Sequence, residues 1–257
     1  MSRYMSLQGR VYLGKRDANG NPEGLRAIGN VSNLQINMSV DKLEHFESQS
    51  GQRLKDLELI RQKSATLSMT AEEWSPENIA LGLYGTTVKV EGGTGVTGEQ
   101  VGGTTLAVGE RFSLAYPNVS DVVVADSTPG TPLELVEGVD YTVDKRYGAI
   151  QLLRAANDSA APFVAPLVVA YMPGESTQFG LFTQPTPERF MRFEGVNTAD
   201  NNAPVIVELY RATFDPVSNL SLITNELNTF ELGGAVLADL TKPVDAVFGQ
   251  FGKFVMV

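Results

Sequence analysis

The sequence predicts a mainly β fold with one short helix, and three observations support that prediction. Apolar and polar residues alternate over long stretches, which is the period of a strand with one buried face. Dipeptides rich in glycine, asparagine and proline separate these stretches, as turns do between strands. A single segment combines the capping residues and the apolar spacing of a helix.

The 257 residues are enough for one large β domain or for two smaller ones, each with its own core. Residues 1–87 and 178–257 contain long alternating runs, whereas residues 88–177 contain short ones. We therefore predict a discontinuous core domain, 1–87 with 178–257, that is interrupted by an inserted β-rich surface domain at 88–177.

The most informative feature is a long hairpin pattern between Leu34 and Thr70. In its first run the apolar residues are Leu34, Ile36, Met38 and Val40. In its second run one side is shared by Leu57, Leu59, Arg61, Lys63, Ala65, Leu67 and Met69. Each run is about twice the usual strand length of about 5–6 residues. Because strands that outrun their own sheet leave edges for another chain, the pattern indicates assembly.

Residues 75–85 carry the helix signal. Ser75 suits the N-cap, Pro76 the first helical position and Gly85 the C-terminal stop. We expect Trp74, just before the cap, to have a packing role. The predicted buried stripe consists of Ile79 and Leu83 with Leu81 or Tyr84.

The inserted block begins with a Gly/Thr-rich run, residues 91–103, which we interpret as a linker or loop. Short predicted strands follow: Val119–Ala125, Leu133–Val136, Tyr141–Asp144, Ala149–Leu153 and Val164–Tyr171. They favour a small β-sandwich of the immunoglobulin-like kind. The block holds 5 basic and 11 acidic residues, a net charge of −6, while the rest of the chain holds 15 and 19, a net of −4.

The third block returns to longer alternating runs, Phe190–Phe193, Val205–Phe214 and Thr229–Leu240. The apolar C-terminal segment, Phe251–Val257, is expected to be a paired strand or an interface element.

Composition excludes several classes of function. A net charge of −10 argues against ordinary nucleic-acid binding, which needs a basic surface. With no cysteine and a single histidine, His45, the chain can build no thiolate site, disulfide or histidine cluster. We expect His45 to be a surface or interface residue. The longest apolar stretch, Phe163–Met172, is far short of the roughly 20 residues of a membrane span, and no secretory signal is visible.

The remaining chemical motifs favour structural roles. Asp140 and Asp144 could share a strand face, but strand-end solvation is the preferred interpretation over a carboxylate pair. Residues 17–21 resemble the start of a calcium loop and lack its downstream glutamate, so a turn is predicted. We expect no enzyme activity, cofactor or metal.

Several segments together resemble the major tail tube proteins of bacteriophages with long, non-contractile tails. They lie in the first and third blocks: Gly9–Arg16, Ile28–Val31, Leu43–Ser48, Ser50–Arg53, Glu77–Gly85, Leu209–Pro216 and Leu237–Asp239. The inserted block is similar to the extra surface domain that some of these proteins carry.

The resemblance implies a tail-tube-type β-sandwich with a flanking helix, whose hairpins close a β-barrel around a lumen in hexameric rings. The rings would stack into a tube that holds the tape measure protein and later conducts DNA as passing cargo. Implied partners are further copies of the chain, the tape measure protein, the tail terminator and the distal tail proteins. The implied location is the virion tail, assembled in the host cytoplasm without membrane contact.

The lumen of such a tube is expected to be acidic, yet residues 34–70 hold five acidic and five basic residues. We therefore expect either an acidic lumen-facing subset or basic residues that pair between subunits. The candidate lumen or inter-subunit residues are Asp41, Glu44, Glu47, Asp56, Glu58, Arg53, Lys55, Arg61 and Lys63.

Two alternatives stay open. One is another β-rich virion component, such as a tail terminator or a capsid decoration protein, which would form a single ring or cap. The other is a glycan-binding adhesive module in the inserted block. Its aromatic residues are Tyr116, Tyr141, Tyr147 and Tyr171, all expected in core positions, and the lone tryptophan lies elsewhere.

Overall fold

The computed structural model describes residues 4–159, 162–244 and 247–257. The predicted mainly β class is confirmed, since 50% of the chain is strand and 3% is helical. In chain order the elements are β1 (Leu7–Arg16), β2 (Pro22–Ala27), β3 (Val31–Phe46), β4 (Lys55–Ala71), α1 (Pro76–Leu83), β5 (Thr87–Val90), β6 (Val96–Val101), β7 (Arg111–Ser113), β8 (Val119–Ala125), β9 (Tyr141–Asp144), β10 (Ala149–Leu152), β11 (Leu167–Pro173), β12 (Ser176–Phe179), β13 (Glu188–Asn197), β14 (Ala203–Phe214), β15 (Phe230–Val236) and β16 (Gly252–Met256).

The chain divides into two compact units. One comprises Met1–Thr87 with Phe179–Val257, and the other comprises Val88–Gln178. Strands β5 and β12 pair with each other as a two-stranded sheet.

The first unit is built on an eight-stranded antiparallel sheet. Seven strands follow the order β2-β1-β13-β14-β15-β4-β3, and the eighth, β16, pairs with β14 beside this path. Besides β13, strand β14 therefore pairs with β16 through residues 205–209 and with β15 through residues 212–214. The C-terminal segment is thus a paired strand. One apolar core cluster includes Leu13, Met69 and Phe214, which are at most 4% exposed.

The second unit contains two three-stranded antiparallel sheets, β7-β10-β9 and β6-β11-β8. Side chains from both sheets, such as Ile150 and Val169, belong to one buried cluster. The prediction of a linker at 91–103 was wrong, because β6 lies within it and pairs with β11 through Val101 and Leu167. The expected strand at Leu133–Val136 is reduced to one bridge, between Glu134 and Ala125.

Helix α1 begins as predicted and ends differently. The Ser75 hydroxyl accepts a hydrogen bond from the Asn78 amide, which fits the N-cap. The left-handed residue at the C-terminus is Tyr84, not Gly85, with φ of 51°. Its hydroxyl donates to the carbonyl of Phe214, which holds the residue in this conformation. Gly85 is required for space instead, since a Cβ there would lie 2.2 Å from the Gly180 carbonyl oxygen.

The buried face of α1 also differs from the predicted stripe. Ile79 and Leu83 are half-buried, and the buried residues are Asn78, Leu81 and Gly82. The side-chain Nδ2 of Asn78 donates to the carbonyls of Ile28 and Glu73, which compensates the burial of this NH2 group. Trp74 packs edge-on against Phe230 with ring centroids 5.5 Å apart.

No helix within the described residues is long and apolar enough to span a membrane.

Candidate assembly interface

Strands β3 and β4 extend far beyond the sheet to which they belong. Strand β15 pairs with β4 as far as Ala65, and β3 pairs with β4 along its whole length. We call residues 31–38 with 65–71 the proximal hairpin and residues 39–64 the distal hairpin. Within the described residues, the distal strands pair with each other alone, and every residue in them is exposed. An isolated two-stranded ribbon is marginally stable in water, so this is the part of the chain that most needs a partner.

A β-bulge in β4 divides the hairpin. Asp41 pairs with Gln62, whereas Lys42 pairs with Ile60, which leaves Arg61 as an extra residue. Side chains directly opposite each other share a face, so Leu43 and Leu59 lie on one face of the ribbon.

The bulge corrects the prediction that the odd-numbered residues of β4 share one side. Ala65 pairs with Met38, an even position of β3, whereas Leu59 pairs with Leu43, an odd one. Because β3 alternates without interruption here, the distal leucines lie on the opposite face from Ala65, Leu67 and Met69. The extra residue in β4 is the physical reason.

One face of the distal hairpin carries an exposed apolar stripe. We define it as Leu43, Leu57 and Leu59, which are 49%, 48% and 50% exposed. His45 pairs with Leu57 across the ribbon, and its Nδ1 lies 2.6 Å from Asp56 Oδ1. This stripe is the candidate interface feature that sequence reasoning missed. The sequence signal for the stripe is Leu43, an apolar residue at an odd-numbered position that departs from the even-numbered apolar run before it.

The opposite face carries a paired charge network. Lys42 Nζ lies 2.5 Å from Glu58 Oε1, and Lys55 Nζ lies 2.5 Å from Glu44 Oε1 and also contacts Glu58. The pKa of Glu58 is lowered to about 2, first by the hydrogen bond from Lys42 and then by that from Lys55. The same bonds, with Glu44 first, raise the pKa of Lys55. This face therefore has little net charge.

Glu47 organises the tip of the hairpin. Its carboxylate accepts from the amides of Gln49 at 2.6 Å, Ser50 at 2.9 Å and Leu54 at 3.3 Å. It also accepts from the Ser50 hydroxyl, and that bond is the first cause of a pKa lowered to about 2. Glu47 is thus engaged in closing the turn.

The nine candidate residues therefore fall into two groups. Five are engaged within the chain: Glu44, Glu47, Lys55, Asp56 and Glu58. Four have no ion-pair partner among the described residues: Asp41, Arg53, Arg61 and Lys63. Both groups lie on the distal hairpin: the first group is bonded within the chain, and the second group is free for contacts outside it.

The other carboxylates that drew attention in the sequence are held in separate structural contacts. Asp140 lies 2.7 Å from Arg154, and Asp144 lies 3.0 Å from Arg111. Asp17 accepts from the amides of Asn19 and Asn21, as a turn-closing aspartate does. Among the described residues no group of three or more histidine and acidic side chains could hold a metal ion.

Comparison with known proteins identifies the family of this chain. No curated protein matches the chain in sequence. One family model matches residues 4–255, which is nearly the whole chain, and its description is "Protein of unknown function UCP028589". The long hairpin and the second compact unit lie wholly within the matched range, as does nearly all of the first unit, and the chain belongs to this family.

Proposed function

We propose that this protein is a structural virion subunit that self-assembles into stacked hexameric rings and forms a bacteriophage tail tube. In this proposal the tube houses the tape measure protein, contacts the tail terminator and distal tail proteins at its ends, and conducts DNA. The chain has no catalytic role in it.

The observation that carries the proposal is the distal hairpin. Its strands offer two unpaired edges and an apolar stripe, and both are features that proteins avoid unless another chain covers them. A ring of identical subunits supplies that cover, because each hairpin can join its neighbours until the sheet closes.

The charge network supports the passage of DNA. Lys42 and Lys55 are neutralised by Glu44 and Glu58 on their own ribbon, so these two lysines offer phosphates little basic surface. We propose that this face lines the lumen and that Lys63, the unpaired lysine opposite Val40 on the same face, meets a carboxylate of a neighbouring subunit. Asp41, Arg53 and Arg61 are proposed to be available for further contacts between subunits.

The finer architecture belongs to the same proposal. The first unit is proposed to be a tail-tube-type β-sandwich with α1 at its flank. The second unit, with its two three-stranded sheets and single buried cluster, is proposed to be an immunoglobulin-like sandwich that serves as a surface module.

Electron microscopy of the purified protein at high concentration tests the proposal. We expect stacked rings with six-fold symmetry and an open lumen. Single rings that never stack would favour a tail terminator or a decoration protein. Monomers under every condition, also with tape measure protein added, would contradict self-assembly.

A deletion separates the tube from the adhesive alternative. Strands β5 and β12 are hydrogen-bonded neighbours, so a short turn can join them in place of the intervening chain. We expect this variant to form tubes as the full chain does. Loss of tubes together with glycan binding by the full chain would favour the adhesive module.

A further inference from the structure

An apolar groove lies in the first unit beside the base of the hairpin. It has a volume of about 930 Å³ and is open to solvent. Its apolar lining includes Leu34, Ile36, Met38, Phe193, Phe251 and Phe254. Met38 and Phe254 are 84% and 48% exposed, so the mouth of the groove is itself apolar. A groove of this size and lining favours an apolar occupant.

The apolar stripe of the same molecule cannot fill this groove. Leu59 is six residues from Ala65, which lines the groove, and at about 3.3 Å per residue the separation is about 20 Å. The β-bulge also places Leu43, Leu57 and Leu59 on the face opposite to Met38 and Ala65. Each molecule therefore presents a stripe and a groove that do not meet.

We propose that the apolar stripe of one copy docks into the apolar groove of the next copy. This inference rests on the proposed function and names the contact that joins its subunits. The contact is heterologous, because two different surfaces of the same chain meet, and such contacts generate rings when the rotation closes.

Polar groups around the two surfaces fit this pairing. Glu208 and Lys253 line the groove, with Lys253 Nζ 2.9 Å from Glu208 Oε2. Glu208 is buried and is also held by Arg192, whereas the Lys253 side chain is 31% exposed. Asp41 lies on the face of the stripe, two residues from Leu43, and has no ion-pair partner among the described residues. A carboxylate of one copy is thus available to meet the ammonium of Lys253 in the next copy.

Disulfide trapping tests the docking directly, since the natural chain has no cysteine. The test variant carries Leu59→Cys and Met38→Cys. Within one copy these positions are too far apart for a disulfide, which needs Cα atoms closer than about 7 Å. We expect mild oxidation of the assembled protein to give a ladder of covalent multimers on a non-reducing gel.

The matched control carries Ile60→Cys and Met38→Cys. Ile60 is the next residue of β4, is 57% exposed and lies on the opposite face of the ribbon. We expect this pair to give no ladder.

A charge substitution gives a second test of the docking. Leu59→Glu should abolish assembly at concentrations where the wild type assembles, whereas Ile60→Glu should not.

Three results would overturn the docking. If tubes form and the Leu59/Met38 pair gives no ladder, the docking is wrong while the tube function stands. If Leu59→Cys alone gives covalent dimers, two stripes pack against each other instead. If the wild-type protein never assembles, both the docking and the proposed function fail.

Discussion

The proximal and distal halves of the β3–β4 hairpin share two strands and one ladder, yet their environments differ completely. In the proximal half Leu67 and Met69 are at most 2% exposed and belong to the core. In the distal half every strand residue is exposed, including three leucines near 50%. The apolar residues of the alternating pattern therefore pack in the core in the proximal half and are exposed, and so available for assembly, in the distal half.

The bulge at Arg61 marks the change between the two halves. On the proximal side of the bulge, Leu67 faces the core of its own unit, whereas on the distal side Leu59 lies on the opposite face. Ile60 stays on the same face as Ala65 and is 57% exposed, so the distal ribbon carries apolar residues on both faces. In the proposed assembly, the change of face lets the distal leucines contact a neighbouring copy.

Truncation of a core leucine should have the largest effect. Leu67→Ala removes a buried side chain from the cluster and should lower the free energy of unfolding of the monomer by about 2–5 kcal/mol. Leu59→Ala is the matched control and should change it by less than about 0.5 kcal/mol. Urea denaturation of both variants measures the difference. Equal losses would mean that the distal hairpin packs against its own chain.

Truncation of the Glu47 side chain at the tip of the hairpin should have a local effect on amide exchange. Glu47→Ala removes the acceptor for the amides of Gln49, Ser50 and Leu54, so these amides should exchange faster with solvent. Amides of Leu67 and Met69 should keep their rates, because the proximal ladder is held by β15. Glu44→Ala is the control and should leave the tip unchanged. If amide exchange at the tip were unaltered in Glu47→Ala, Glu47 would not be the residue that closes the turn.

Acid should loosen the distal hairpin over a defined range. The pKa values of Glu47 and Glu58 are lowered to about 2 from an ordinary value of 4.5, so the folded ribbon binds fewer protons than the unfolded chain. Their stabilising contribution is present above 4.5 and is lost as the pH falls through about 2. Carboxyl chemical shifts of Glu47 and Glu58 in an NMR titration should therefore stay flat from pH 7 to about pH 4, a pH at which an ordinary glutamate is already mostly protonated. Midpoints near 4.5 would contradict the hydrogen bonds that lower both pKa values.

Neutralising the lysine partners should give the smallest effect. Lys42→Met should raise the pKa of Glu58 toward its ordinary range, and more than Lys55→Met does, because Lys42 is the first cause of the lowering. The same NMR titration measures both midpoints. An unmoved midpoint in both variants would show that the paired face does not form in solution.

Alternation alone predicted much of the first unit. It located the long hairpin and the strands around Phe190 and Val205, because one face of each strand is buried. The apolar character of the C-terminal segment, not alternation, indicated a paired strand or an interface element there. The helix start was also predictable, since Ser75 and Pro76 act through local geometry.

The features that the sequence did not reveal depend on distant partners. Alternation within β4 cannot show the bulge at Arg61, because a bulge is defined by the register against β3. Strand β6 was missed because its glycine-rich setting has weak strand propensity, and pairing with β11 overrides it. Tyr84 takes the left-handed position, and its hydroxyl bonds the carbonyl of Phe214, which is far away in the sequence. Gly85 is required for space against Gly180, which is also distant along the chain.

The same limit applies to the candidate interface. The nine charged residues could be named from the sequence, but their division into engaged and free groups depends on which side chains the register of the ladder brings within reach of each other. The apolar stripe emerges when Leu43 is paired with Leu59, across a ladder that alternation does not specify.

Amide hydrogen exchange of the isolated chain and of the assembled protein tests the central claim most directly. We predict that amides of residues 39–64 exchange rapidly in the isolated chain and become protected on assembly, while those of Leu67 and Met69 are protected in both. Full protection of the distal hairpin in the isolated chain, or unchanged rapid exchange after assembly, would contradict its role as the interface.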